Sequence, residues 1–276
     1  MSGPEGGAAD LFKAVVLGVV EGLTEFLPVS STGHLVLVHA WLGGSDPTLE
    51  VAIQMGAITA IVLLYWRRLL DAARTVARPV HEGRANLLWA ILVAALPAAL
   101  LGLLADDWIG ARLFNTGTVA ATTLVGGVLL LVLERWLRGR DARGVAAQPL
   151  AAITLPVALG IGIFQCLALV PGTSRSGATI AGALLLGLSR VAAAEFSFLV
   201  GLPILYGAGL LKLAKDHERL QGTFLVEFAV AALAAMVTAF VVVRPFVRFL
   251  QRHTFAPFAW YRIALGGVLL AYLSRS

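Results

Sequence analysis
With 276 residues, 59% of them hydrophobic and only 13% charged, the chain has a mean hydropathy of +0.87. Soluble domains carry about a quarter charged residues, so an ordinary water-soluble fold is excluded and an integral membrane protein is indicated. The net charge of +5 sits as arginine at the ends of apolar runs, with no separate basic domain or aromatic–basic interleaving, which excludes nucleic acid as a partner.

No segment alternates apolar and polar residues, so an all-α polytopic helical bundle is expected in place of a membrane barrel. The first ten residues, MSGPEGGAAD, lack a basic n-region and are followed by no small-residue cleavage site, so the first apolar run is expected to be retained. Asp10 can cap a helix over 11–27, which Pro28 ends. That run is short for a span and holds Glu21, Thr24 and Glu25 in its second half, so it reads as one arm of a re-entrant hairpin whose return arm is 33–42. Gly43, Gly44, Ser45, Asp46 and Pro47 then reset the chain, with Asp46 as N-cap and Pro47 at the first helical position. Spans are predicted over 50–66, 86–104 and 118–133.

After Pro149 the pattern starts over. An apolar run over 150–170 breaks at Pro171 and Gly172, and 176–188 is a short return arm. Spans follow over 195–211, 224–243 and 257–273, about six in all. Cys166, the single cysteine, excludes an intrachain disulfide and a cysteine-rich metal site, and its apolar neighbours predict a buried, inert thiol.

The two halves look like one unit written twice, 1–148 and 149–276. Glu21 aligns with Gln165, Gly33 with Gly177, Glu50 with Glu195 and Gly56 with Gly201, and the GGVLL at 126–130 recurs at 266–270. One hairpin plus three crossings per half turns the second half upside down, an inverted-topology repeat with two re-entrant hairpins. The loops after Trp66, Leu133 and Val243 are arginine-rich and expected in the cytoplasm, which puts the N-terminus and the base of the first hairpin outside. Lys212, Lys215 and Arg219 run against that trend.

Ionisable groups inside lipid-length apolar sequence mark a functional site by default. Residues 21–35, EGLTEFLPVSSTGHL, are the densest case. Glu21 and Glu25 share one helical face, and two carboxylates so close in low dielectric repel unless one is protonated or a cation lies between them. A divalent metal site or a proton-transfer pair is therefore expected, against the plainer reading of two helix-end glutamates in headgroup water. Pro28 to Gly33 forms a broken-helix tip whose N–H groups and hydroxyls suit an anion, phosphate above all. His34 lies within reach as an acid–base or nucleophilic group. The second tip, PGTSRSG at 171–177, adds Arg175, a permanent cation suited to bidentate phosphate binding, with a salt bridge to Glu21 or Glu25 as its structural alternative. Ser30, Thr32 and Gly33 on one tip and Thr173, Ser174, Ser176 and Gly177 on the other are the candidate substrate contacts.

GVVEGLTEFLPVSSTGH together with GIFQCLALVPGTSRSGATIAG strongly resembles the bacterial undecaprenyl-pyrophosphate phosphatases of the BacA type, linked to bacitracin resistance. The likeness covers nearly the whole chain, including AAEFSFLVGLPI at 193–204, with no departure at the polar positions. The resemblance implies hydrolysis of the terminal phosphate of a C55 polyprenyl pyrophosphate at the outer face of the bacterial plasma (inner) membrane. It also implies a divalent cation, Mg²⁺ or Ca²⁺, and essential residues at Glu21, Glu25, Ser31, His34, Ser174 and Arg175. Ser31, His34 or water remain open as the nucleophile, and a homodimer is carried as a candidate assembly. The competing class is a transporter or flippase for polyprenyl phosphate or another anion, since paired broken helices also build transporters.

Overall fold
The computed structural model of the chain describes residues 7–44, 46–81 and 83–274, apart from the side chain of Asp106. Residues 1–6 of the N-terminal segment read for a signal peptide and Ser45 of the predicted chain reset lie outside the described residues. The first hairpin consists of α1 (Ala8–Thr24) and α2 (Ser31–Leu42). Gly7, not Asp10, is the N-cap of α1; the Asp10 carboxylate sits in the first turn and accepts from the Gly7 N–H at 3.3 Å. Helix α3 (Pro47–Arg74) starts as predicted, with Asp46 Oδ1 accepting from the N–H groups of Thr48 and Leu49 at 2.9 and 3.3 Å.

A two-stranded ribbon, β1 (Val80–His81) with β2 (Arg84–Ala85), leads into α4 (Leu87–Leu113) and α5 (Thr116–Ala142). The second hairpin is α6 (Leu155–Gln165), a 3-10 turn over Cys166–Leu169, and α7 (Arg175–Leu185). Then come α8 (Arg190–Lys215), α9 (Gly222–Leu250) and α10 (Ala256–Leu273). Among the described residues six helices, α3, α4, α5, α8, α9 and α10, are long and apolar enough to cross a membrane. Helices α3, α5 and α9 run past the arginines at which the sequence predicts their ends. Arginine is a good helix former, and its long side chain can carry its charge out of the apolar layer. Cys166 is half-buried, not fully enclosed.

Side-chain bonds show which ends meet. Lys13 on α1 donates to the carbonyl of Gly43 after α2, and Thr48 on α3 donates to Asp216 after α8. At the other end Arg68 on α3 pairs with Glu195 on α8 at 2.8 Å, and the Gln148 segment bridges to Leu188 after α7. The two hairpins therefore enter the bundle from opposite ends. The packing is interleaved: α1 lies on α9, α3 on both α8 and α9, α4 on α6, and α5 on α10. Small residues permit the close approaches, with Gly18 and Gly22 of α1 set against the backbone of Ala231 and Ala235. Among helices surrounded by lipid, such packing supplies attraction that burial from water cannot.

Candidate active site
Each hairpin turns at a serine held in the left-handed region, Ser30 with φ 72° and Ser174 with φ 70°. These are the described non-glycine residues with positive φ, a conformation that costs about 1–3 kcal/mol and persists only where surroundings impose it. In each case the serine is the N-cap of the return helix. Ser30 Oγ accepts from the Gly33 N–H at 3.2 Å, and Ser174 Oγ accepts from the Gly177 N–H at 3.1 Å. Among the described residues the cap leaves the N–H groups of Ser31, Thr32, Arg175 and Ser176 without an acceptor, four donors at the two helix N-termini.

The tips touch. Arg175 Nη2 donates to Glu25 Oε1 at 2.8 Å, and both side chains are about one-tenth exposed. Ser31 Oγ donates to the other oxygen, Glu25 Oε2, at 3.0 Å. Arg175 Nη1 donates to the Ser197 carbonyl of α8 at 2.7 Å. Gly201 gives the guanidinium its room, since a Cβ there would lie 2.7 Å from Arg175 Cζ. Ser176, fully buried, donates to the Leu27 carbonyl at 2.9 Å and joins tip to tip.

Helices α5 and α10 close the back of the site. Thr122 donates to the Pro171 carbonyl at 2.6 Å, while Thr123 donates to Ser30 Oγ and to the Gly172 carbonyl, each at 3.3 Å. Arg262 of α10, 2% exposed, donates to the carbonyls of Thr122, Thr123 and Gly172, each at 3.2 Å. Its guanidinium lies over Gly126, where a Cβ would sit 2.1 Å from Nη2. An apolar groove of about 430 Å³ runs from Arg262, Thr173 and Gly177 along α5 and α7 to Trp136 and Leu185.

His34 is turned to a different partner from Ser31. Its Nδ1 bonds the Ser30 carbonyl at 2.8 Å and its Nε2 bonds the Tyr261 hydroxyl at 2.7 Å. Among the described residues Ser31 is hydrogen-bonded to Glu25 and not to His34. Glu21 is fully buried, and among the described residues neither carboxylate oxygen has a hydrogen-bond partner.

The structure thus brings Glu25, Ser31 and Arg175 together, with Glu21 one helical turn behind and His34 beside them on α2. Of the candidate substrate contacts, Ser30, Ser174 and Ser176 use their hydroxyls within the protein, and Gly33 and Gly177 use their N–H groups in the caps. Thr32 is half-buried on the first turn of α2, and Thr173 faces the apolar groove. Tyr261, Arg262, Thr122, Thr123 and Ser197 were not expected. Only Arg262 left a sequence signal, as a charge inside the apolar run of the last span.

No group of three or more His, Cys, Asp and Glu side chains suited to a metal occurs among the described residues. The carboxylate pair still fits a divalent cation, because Mg²⁺ is usually held by one or two carboxylates with the remaining ligands from phosphate and water. Both oxygens of Glu21 are free for that purpose.

The class this defines is a multi-pass helical membrane protein whose two opposed re-entrant hairpins join at a buried polar site. A family model described as bacitracin resistance protein BacA matches residues 14–268, and the chain belongs to that family. It is 45% identical over 267 residues to the undecaprenyl-diphosphatase of Polaromonas sp., covering 95% of this chain and 94% of the relative. It is 46% identical over 264 residues to undecaprenyl-diphosphatase 1 of Chromobacterium violaceum, covering 94% and 95%. With the undecaprenyl-diphosphatase of Parvibaculum lavamentivorans it shares 44% over 270 residues, covering 97% and 98%.

Proposed function
We propose that this chain is an undecaprenyl-diphosphatase, removing the terminal phosphate of undecaprenyl diphosphate to give undecaprenyl phosphate and inorganic phosphate. One observation carries this reading: a hydroxyl and a guanidinium from opposed hairpins share the carboxylate of Glu25 at two helix N-termini whose first N–H groups are, among the described residues, unpaired. A diphosphate is highly anionic, and positioning with charge stabilisation is most of what its cleavage requires. Arg175 and the free N–H groups of the tips bind the phosphate oxygens. Ser31 Oγ attacks the terminal phosphorus and its proton passes to Glu25, while the bond to the bridging oxygen breaks and undecaprenyl phosphate leaves. Water then attacks the phosphoserine phosphorus, giving a proton to His34 Nε2, while the bond to Ser31 Oγ breaks, Glu25 returns its proton to that oxygen and inorganic phosphate leaves. Glu21 and Glu25 would hold a divalent cation, which, when bound, supplies further neutralisation of phosphate charge.

The identity and length of match to named diphosphatases support the same substrate. We place the protein in the bacterial inner membrane with the site opening outward. The arginines in the C-terminal turns of α3, α5 and α9 support a cytoplasmic position for that end of the bundle. The matched serine tips support reading 1–148 and 149–276 as a duplicated unit. The opposed hairpins also suit transport of a polyprenyl phosphate, but transport needs no hydroxyl directed at a carboxylate.

Phosphate release from undecaprenyl diphosphate by detergent-purified protein tests the reading. Release that is abolished in Ser31→Ala and Arg175→Ala is expected. No release from the folded wild type, with flux of polyprenyl phosphate in liposomes, would favour the transporter.

A further inference from the structure
The residue that faces the free edge of His34 comes from the far end of the chain. Tyr261 Oη lies 2.7 Å from His34 Nε2, and the two rings are nearly parallel, 7° apart with centroids 5.5 Å from each other. The other ring nitrogen, Nδ1, lies 2.8 Å from the Ser30 carbonyl. A carbonyl can only accept, so Nδ1 carries the proton of the neutral ring, and Nε2 is left as an acceptor. The phenol O–H donates to it. Both contacts rest on fixed backbone: Ser30 is locked in the left-handed region by its capping role, and α10 is anchored one residue further on by three bonds from Arg262.

We propose that Tyr261 is a positioning residue for the reaction, holding His34 as the tautomer whose Nε2 is unprotonated and setting the plane of its ring. This deepens the phosphatase reading and rests on it. The Ser30 carbonyl selects the proton position, and the phenol keeps Nε2 aimed at the cleft. Tyr261 is 48% exposed, so its hydroxyl stands at the boundary of the site, where it can swing aside as water or phosphate arrives. Arg262 ties the same helix to the Gly172 carbonyl of the second tip, so the orientation of His34 depends on both hairpins.

The test uses full-length protein carrying ¹⁵N-histidine, with His34→Gln identifying the His34 signals. In wild type, His34 is expected to show a protonated Nδ1 and an unprotonated Nε2, and this reading needs neither a variant nor activity. Tyr261→Phe keeps the ring contact and removes the hydroxyl. It should shift the His34 Nε2 signal by removing its hydrogen-bond donor, loosen the ring's orientation, and lower kcat about tenfold to a hundredfold with KM changed less than about twofold. In the His34→Gln background the same substitution should cost less than about twofold. Tyr261→Gln, which restores an N–H donor, should recover part of the rate. A wild-type His34 protonated at Nε2 overturns the proposal, as does an equal loss of kcat from Tyr261→Phe in both backgrounds. A wild type that releases no phosphate removes the phosphatase reading, while the nitrogen signals still decide the geometry.

Discussion

Ser31 on the first hairpin and Arg175 on the second grip opposite oxygens of one carboxylate, Glu25, at 3.0 and 2.8 Å. The attacking hydroxyl and the phosphate-binding cation are therefore set by one group. Glu25→Gln keeps the shape and removes the charge that both partners need. We expect phosphate release to fall at least about a hundredfold, the scale seen when a preorganised electrostatic contact is removed. Breaking one side of a buried pair costs about 3–5 kcal/mol, so a lowered thermal midpoint should accompany the lost activity. Near-normal turnover in the purified variant removes Glu25 from the mechanism.

Arg175→Lys tests geometry at constant charge. The guanidinium reaches both Ser197 O and Glu25 Oε1, a fork that an ammonium cannot reproduce. Activity should fall at least about tenfold, one lost charge-assisted bond being worth about 1.5–3 kcal/mol. Arg175→Lys turnover within twofold of wild type would show that charge alone suffices.

Glu21 should behave in the opposite way in stability. Among the described residues its buried carboxylate has no hydrogen-bond partner, so Glu21→Gln removes an uncompensated burial cost and should leave the thermal midpoint unchanged or raised. The same variant should lose activity and its response to added Mg²⁺ or Ca²⁺. Chelator titration of wild type and variant side by side checks this. Wild-type activity indifferent to chelation would sink the metal assignment.

Gly201→Ala places a methyl group 2.7 Å from the centre of the Arg175 guanidinium. Overpacking of this kind costs about 1–3 kcal/mol. We expect a folded protein with a displaced Arg175 and phosphate release reduced more than stability, read from kinetics and thermal melting on one preparation.

Outside the spans, Asp46 makes one contribution to acid sensitivity. Partial desolvation pushes its carboxyl upward, but the hydrogen bonds from Arg219 and from the Thr48 and Leu49 N–H groups hold it below its usual 3.8. A carboxyl depressed in the folded state stabilises above its unfolded pKa, and that contribution is lost as pH falls through the folded value. Asp46→Asn, still a good N-cap, should therefore lower stability modestly at pH 7, by under about 1 kcal/mol for so exposed a pair. Wild type and variant should converge as pH falls through the depressed folded value. A gap that widens on acidification contradicts the assignment.

The hairpins were legible because Pro28 and Pro171 cannot continue a helix and because carboxylates and arginine are costly in apolar sequence. The Asp46–Pro47 start of α3 followed from capping chemistry. Helix ends were less legible where the chain passes through Arg67, Arg135 or Arg244, since these residues change the solvent of a helix without ending it. At the site, Glu25, Ser31 and Arg175 could be read from two short motifs. Their pairing could not, because local spacing does not say that Ser31 prefers Glu25 over His34. Tyr261 lies 227 positions from His34, and an aromatic beside Trp260 near a span end looks like an ordinary interfacial residue.

The interleaved packing sets a schedule for biogenesis. Helix α1 ends at Thr24 and its main partner α9 begins at Gly222, so nearly two hundred residues are synthesised between them. At about 5–20 residues per second that is on the order of 10–40 s. For that interval the first hairpin, with Glu21 and Glu25, lacks its final neighbours and needs shelter at the insertion machinery or among headgroups. A ribosome stalled before α9 should therefore leave α1 cross-linkable to the translocon and sensitive to protease, protected only after the last fifth of the chain emerges.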